Sequence, residues 1–323
     1  MDLQSNIALS ADQKPGGKAG AGFRTKVARD IRANKYIYIM LLPVVAYYLI
    51  FHYAPMYGVI IAFEDFAPLK GILHSRWIGL ANFRDFFGSY YFLRILKNTL
   101  LISGYSLVFG FPAPILMALL LNEIRGRRFK NIIQTATYLP HFISMVVLCG
   151  MIVDFTATSG VITDLVARLG GPDKNLLMQP SLFRTIYVGS GIWQQLGWNS
   201  IIYLAALAGI DPQLYESATM DGAGRFRQVL HITLPGITPT IVILLILAMG
   251  QIMNVGFEKI ILLYNPATYE TGDVISSFVY RKGLLEFNFS YSTAVGLFNS
   301  MINCFLLVLA NTISRKVNET SLW

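Results

Sequence analysis

"GIDPQLYESATMDGAGRFRQVLHITLPGITP", Gly209 to Pro239, is the stretch that decides the reading of this chain. It carries Asp211, Glu216, Asp221, Arg225 and Arg227, yet it lies between two long apolar runs. Local rules give it a shape. Asp211 suits a helix N-cap, Pro212 suits the first helical position, and Ile210 with Tyr215 can form a hydrophobic staple. A short helix is therefore predicted over Pro212–Met220. Gly222 and Gly224 then permit a sharp turn. "RFRQVLHITL" resumes with Phe226, Val229 and Leu230 on one face and Arg225, Gln228 and His231 elsewhere, and Pro235 starts the return into the next apolar run. Such a helix–turn–helix offers a compact knob to a partner protein; the plainer alternative is an amphipathic connector.

The flanks set the context. Of 323 residues, 54% are hydrophobic and 14% charged, and the mean hydropathy is +0.52. Soluble domains have about a quarter of their residues charged, so the composition is that of a membrane protein. A helix needs about 20 apolar residues to cross the hydrocarbon core. Six runs meet this, at roughly 36–63, 96–121, 132–154, 185–209, 236–257 and 290–314. The expected fold is all-α with six transmembrane helices. Pro43, Pro55, Pro112 and Pro114 fall inside spans, where neighbouring helices can satisfy freed backbone groups.

Charge orients the chain. Lys14, Lys18, Arg24, Lys26, Arg29, Arg32 and Lys35 precede the first run, and "NEIRGRRFKN" between the second and third carries Arg125, Arg127, Arg128 and Lys130. With six spans, these segments, the polar loop and both termini share one side, which the positive-inside rule makes cytoplasmic. The expected organisation is a cytoplasmic arm (1–35), a first span with an external loop (36–95), a core of five spans (96–314) with the polar loop at about 210–235, and a cytoplasmic tail (315–323).

Other chemistries find no foothold. The formal net charge of +8 comes from basic clusters flanking apolar runs rather than from a nucleic-acid module. "PGGKAGAG" lacks the spacing of a phosphate loop, since Lys18 is followed by Ala19; it reads as a flexible tail. Cys149 and Cys304 sit singly in apolar runs and the four histidines are scattered, so no metal site is expected. No catalytic pair is seen. No charged residue falls mid-run, with Asp154 and Glu258 placed at span ends; this argues against ion-driven transport. If the protein moves a solute uphill, the energy enters from elsewhere.

The pattern E-[AS]-A-x3-G-x9-I-x-L-P is met by Glu216, Ser217, Ala218, Gly222, Ile232, Leu234 and Pro235. It resembles the EAA loop of membrane-spanning subunits of ABC importers, with Ser217 where Ala is usual. "WIGLANFRDFF" and "ILKNTLLIS" resemble the segments that open the permease core in sugar permeases of that family, and the loop has the sugar-permease form. "YAPMYGVIIAFEDF" and "TYLPHFISMVV" look more like the subgroup for polysaccharide-derived oligomers than like the maltose branch. The resemblance implies a type I ABC importer permease in the cytoplasmic membrane, with a loop helix seated in a cleft of a cytoplasmic ATPase. It implies coupling residues Glu216, Ser217, Ala218, Asp221, Gly222, Ala223, Gly224 and Arg225. It implies a second, similar permease, two ATPase subunits that hold ATP and Mg, and an extracytoplasmic sugar-binding protein. No cofactor and no catalytic role are expected of this chain.

In the maltose branch the sugar is held by the helices before and after the loop. Here these read "GIWQQLGWNSIIYL" and "LAMGQIMNVGF". Trp193, Trp198 and Tyr203 offer stacking faces; Gln194, Gln195, Asn199, Gln251 and Asn254 offer uncharged hydrogen-bonding groups; Gly197 and Gly256 leave room, and Met253 lies among them. The same residue types also join helices to one another, and helical spacing sets Gln194 and Asn199 on different faces. Lys70, Arg76 and Arg84, on the external side, leave an acidic oligosaccharide open as cargo. The rival function is an ATP-independent secondary transporter or channel for small polar solutes.

Overall fold

The computed structural model of the protein describes residues 30–318. Most of the basic N-terminal arm, including "PGGKAGAG", and the last five residues of the tail lie outside the described residues. The chain divides at Gly58/Val59 into two compact units. The first contains helix α1 (Lys35–Tyr48), which is apolar around its circumference, as a lipid-facing helix should be.

The second unit opens with a small antiparallel pair, β1 (Glu64–Asp65) and β2 (Arg76–Trp77), Glu64 opposite Trp77. Then come α2 (Ala81–Gly88), α3 (Phe92–Glu123), α4 (Arg127–Tyr138), α5 (Met145–Thr156) and α6 (Pro180–Ala208). They are followed by α7 (Pro212–Met220), α8 (Arg225–Met249), α9 (Phe257–Leu263) and α10 (Phe289–Asn318). Among the described residues, all regular structure apart from that pair is helical.

Among the described residues, five helical stretches are both long and apolar enough to cross a membrane: Lys35–Phe63, Phe92–Glu123, Met145–Arg168, Arg225–Met249 and Phe289–Lys316. The run expected at 185–209 is α6, whose 29 residues reach roughly 44 Å at the helical rise. It has the length, but Arg184, Gln194, Gln195 and Asn199 dilute its apolar character.

Two expected spans are displaced. The run at 132–154 splits. Pro140 ends α4 in a 3-10 turn, and Ser144 caps a new helix by accepting a hydrogen bond from the Val147 amide. Asp154 lies two residues before the end of α5, at a helix end as expected. The run at 236–257 instead begins at Arg225, within the polar loop, and ends at Met249. Residues 250–256 are not helical.

The prolines leave a consistent mark. Wide π-type turns at Leu49–Tyr53, Ser106–Gly110 and Val229–Thr233 each end two residues before a proline: Pro55, Pro112 and Pro235. A proline lacks the N–H and crowds the carbonyl four residues earlier. A wider turn moves that carbonyl aside and lets the helix continue. A further wide turn, Arg281–Leu285, has no proline behind it.

α6 is the packing axis of the second unit. Its first half joins Phe183, Tyr187 and Val188 to Leu148 and Ile152 of α5 and to Ile260 and Leu263 of α9. Its second half joins Tyr203 and Leu207 to Ile115 and Ala118 of α3 and Ile237 of α8. A third cluster, around Phe86, Met253, Phe278 and Val295, secures α10.

Candidate functional site

The polar loop is built as its sequence predicts. The Asp211 carboxylate accepts a hydrogen bond from the Gln213 amide at 2.9 Å and caps α7. At the other end, the Ala223 amide donates to Ala218 O (2.8 Å) and the Gly222 amide to Thr219 O (3.1 Å). This double closure needs a left-handed residue, and Gly222 supplies it at φ +76°. The glycine of the E-[AS]-A-x3-G spacing is thus the residue that ends this helix. Gly224 has φ −69° and opens α8 without a left-handed conformation.

Side chains then brace the loop. Gln228 Nε2 donates to Thr219 Oγ1 (2.9 Å) and Ala223 O (3.1 Å), and the Tyr215 hydroxyl meets Thr233 Oγ1 at 3.0 Å. Arg225 reaches Glu123 at 3.8 Å, an exposed pair of small energetic weight. Glu216, Ser217, Asp221, Gly222, Gly224 and Arg225 are exposed, while Ala218 and Ala223 are half-buried. Leu214, Met220, Phe226 and Leu230 are also exposed, Met220 by 89% and Phe226 by 80%. An apolar, glycine-cornered projection of this kind suits a cleft in another protein.

The second feature is a polar groove. Two adjoining cavities of ≈ 300 and ≈ 370 Å³ share Ser106, Gly110, Tyr187 and Asn199. They lie where α3 widens into its π turn, where α6 carries its amides, and where the backbone is non-helical between α8 and α9. That break satisfies its backbone through side chains. Ser103 Oγ donates to Ile252 O, Ser276 Oγ donates to Val255 O at 2.6 Å, and the Met253 amide donates to Asn303 Oδ1 at 3.0 Å. Irregular backbone between membrane-crossing helices is tolerated where protein encloses it or a cavity abuts it; both hold here.

The structure gathers Gln194, Gln195, Asn199, Gln251, Asn254 and Gly256 on this groove. Gln194 and Asn199 both border one cavity, although Gln194 is buried and Asn199 exposed, as expected of different faces of α6. Their engagements differ. Asn199 makes no hydrogen bond among the described residues, whereas Gln195 Oε1 is 3.0 Å from His141 Nδ1. Gln194 Nε2 donates to Ile143 O (3.4 Å). Asn254 Oδ1 accepts from Asn299 and Asn303 of α10, both at 3.0 Å, and its amide donates to Gln251 (2.6 Å).

The other expected path residues are placed elsewhere. Trp193 borders a mostly apolar hollow with Met151, Phe155 and Ile162. Trp198 is stacked on His141, ring centroids 4.2 Å apart and planes at 2°. Tyr203 and Met253 are buried in apolar clusters. Gly197 sits at a helix crossing, where an added Cβ would lie 2.3 Å from Thr137 O of α4; it admits a helix.

The sequence reading passed over Lys259. On α9, 5% exposed, it lines the smaller cavity and donates to Tyr187 O at 2.9 Å. Its signal in the sequence is a lysine beside Glu258 in the otherwise apolar "FEKIILL". Among the described residues, no group of His, Cys, Asp and Glu is placed to hold a metal.

Residues 110–319 match the family described as binding-protein-dependent transport system inner membrane component. The polygalacturonan/rhamnogalacturonan transport system permease protein YteP of Bacillus subtilis (strain 168) is 46% identical over 93% of this chain and 94% of its own length. A chain from the crystal structure of a bacterial ABC transporter involved in import of the acidic polysaccharide alginate superposes with a TM-score of 0.84 at 44% identity, covering 91% of this chain and 99% of that one. The same values hold for that transporter in complex with a periplasmic protein bound to alginate pentasaccharide.

Proposed function

We propose a function for a chain that belongs to the family of binding-protein-dependent transport inner membrane components: it is a multi-pass permease subunit of an ATP-driven oligosaccharide importer. One observation carries this reading, the exposed helix α7 closed by Gly222 at φ +76°, a rigid projection with the spacing of an ATPase-docking loop. Glu216 and the residues through Arg225 present that projection to a partner ATPase. The chain supplies half of the translocation path, is not itself catalytic, and needs no cofactor of its own; ATP and Mg are held by the ATPase. A second permease, two ATPase subunits and an extracytoplasmic sugar-binding protein complete the assembly. The relatives named for galacturonans and for alginate support an acidic oligosaccharide as cargo, taken through the groove between α3, α6 and the break before α9.

The test starts with isolation of the tagged chain from its native membrane in mild detergent and identification of what accompanies it. An ATPase and a second permease in fixed ratio are expected; a chain that emerges alone sinks the reading. Glu216→Lys and Gly222→Asp are expected to leave the protein inserted while abolishing uptake and sugar-stimulated ATP hydrolysis. The glycine change also strains the backbone by about 1 kcal/mol. Uptake at wild-type rate in both variants counts against the docking role.

A further inference from the structure

A buried charge without a counter-ion is expensive, of the order of several kcal/mol, and proteins retain one where it meets something that arrives later. Lys259 is such a charge. Its ammonium makes one hydrogen bond, to Tyr187 O at 2.9 Å, and sits 4.8 Å from the Tyr187 ring centroid. An ammonium has three N–H donors, so two are left. Among the described residues no carboxylate lies within salt-bridge distance of it. Cys149 shares the apolar cluster around Tyr187 and brings no carboxylate to it.

The surroundings of the ammonium give it access to the cavity. Lys259 shares the smaller cavity with Ser106, Gln194 and Asn199, groups that match sugar hydroxyls and carry no charge. Gly191 borders the ammonium on that wall, where a Cβ would stand 3.4 Å from Nζ, an ordinary van der Waals contact. Tyr187 holds it from below through its carbonyl and ring. A cavity with one cation, a few neutral hydrogen-bonding groups and apolar walls from Pro114, Ile192 and Leu196 is matched to a ligand that combines hydroxyls, the apolar faces of sugar rings and a carboxylate.

We propose that Lys259 is the anion-reading residue of this groove: its free N–H groups pair with a uronate carboxylate of the passing oligosaccharide while Asn199 and Ser106 hold neighbouring hydroxyls. The proposal rests on the importer reading and adds to it the residue that selects acidic over neutral sugar. Gain and cost are linked. The ligand supplies the missing counter-ion, so binding removes the penalty of the unpaired charge, and a neutral sugar of the same shape leaves that penalty in place.

The experiment measures equilibrium binding of trigalacturonate, and of the neutral trisaccharide made by reducing its carboxyl groups, to the intact detergent-purified importer without its binding protein. Wild type is expected to prefer the acidic sugar. Lys259→Met is expected to weaken trigalacturonate binding by about thirtyfold or more, the loss for one partner of a buried charge pair, and to leave the neutral sugar unchanged. Lys259→Arg is expected to restore most of the acidic preference. Equal losses for both sugars, an unchanged affinity for trigalacturonate in Lys259→Met, or a wild type indifferent to charge or binding neither sugar would each overturn the proposal. Uptake by the same preparation in vesicles, with its binding protein added, separates the two levels. An importer that transports oligosaccharide yet fails the binding test loses only this assignment, whereas a complex that transports none loses the importer reading and the assignment with it.

Discussion

Two regions of the second unit bury charge, and they do so in opposite ways. At the head of α3 and α6, Asp273 is fully buried and surrounded. It accepts two hydrogen bonds from Arg281, at 2.7 and 3.2 Å, one from Ser277 at 2.9 Å, and lies 3.6 Å from Arg94. Asn98 donates to Asp273 O and Glu270 O, both at 2.9 Å, and accepts from Arg184 at 2.8 Å. Burial works against the Arg281 guanidinium, but the Asp273 carboxylate more than compensates and holds its pKa above the ordinary arginine value. At the groove, by contrast, Lys259 faces a cavity with a backbone carbonyl as its one hydrogen-bond partner. The difference separates two uses of a buried charge. The first cluster joins the starts of two long helices to the segment after α9, and the Asp273 carboxylate is fully engaged in doing so. The second is left incomplete on the side where a solute can enter.

That contrast makes commitments about stability. Asp273→Ala strands the guanidiniums of Arg281 and Arg94 and is expected to cost about 3–5 kcal/mol, read as a large fall in the thermal unfolding temperature of the purified complex; a small fall would mean that the cluster is not structural. Asn98→Ala removes the bridge between Arg184 and two backbone carbonyls and is expected to cost about 1–3 kcal/mol by the same measurement. Lys259→Met is expected to change the unfolding temperature little or raise it, because an apolar side chain replaces a desolvated charge that no carboxylate holds, about 0–1 kcal/mol in favour of the variant. A fall as large as that of Asp273→Ala would erase the contrast. The smallest effect is expected of Gly191→Ala. Its Cβ would stand 3.4 Å from Nζ, an ordinary contact, so trigalacturonate affinity is expected to stay within about twofold of wild type and stability within about 0.5 kcal/mol.

What the sequence disclosed follows from the range over which each rule acts. Asp211, Pro212 and Gly222 determine α7 through bonds that span a few residues, and the predicted Pro212–Met220 matches the observed helix. The spans were legible as long apolar runs, but their ends were not. Pro140 and Ser144 moved one helix down the chain, and the break at 250–256 is held by Ser103, Ser276 and Asn303, residues far away in sequence. The groove was legible only in composition. Glutamine, asparagine and tryptophan on α6 look alike in a list, but Trp198 stacks on His141 while Asn199 next to it lines the cavity. Those choices depend on which helix lies opposite. Lys259 was missed for a related reason: read beside Glu258 it marks the end of a span, and only the fold shows that it turns inward.

The continuity of α8 has a mechanical consequence. Arg225–Met249 runs as one helix from the exposed loop to the non-helical segment on the groove, and its 25 residues make a rod of roughly 37 Å. A rod gripped at one end and forming a wall at the other trades angle for aperture: a tilt of about ten degrees about the loop moves the far end by about 6 Å at that length. The wide turn at Val229–Thr233 lies close to the gripped end, as a soft joint near the handle of a lever. Its stiffness sets how much of any push on the loop arrives as a change in width, so the sequence around Pro235 is a gear ratio as much as a helix signal.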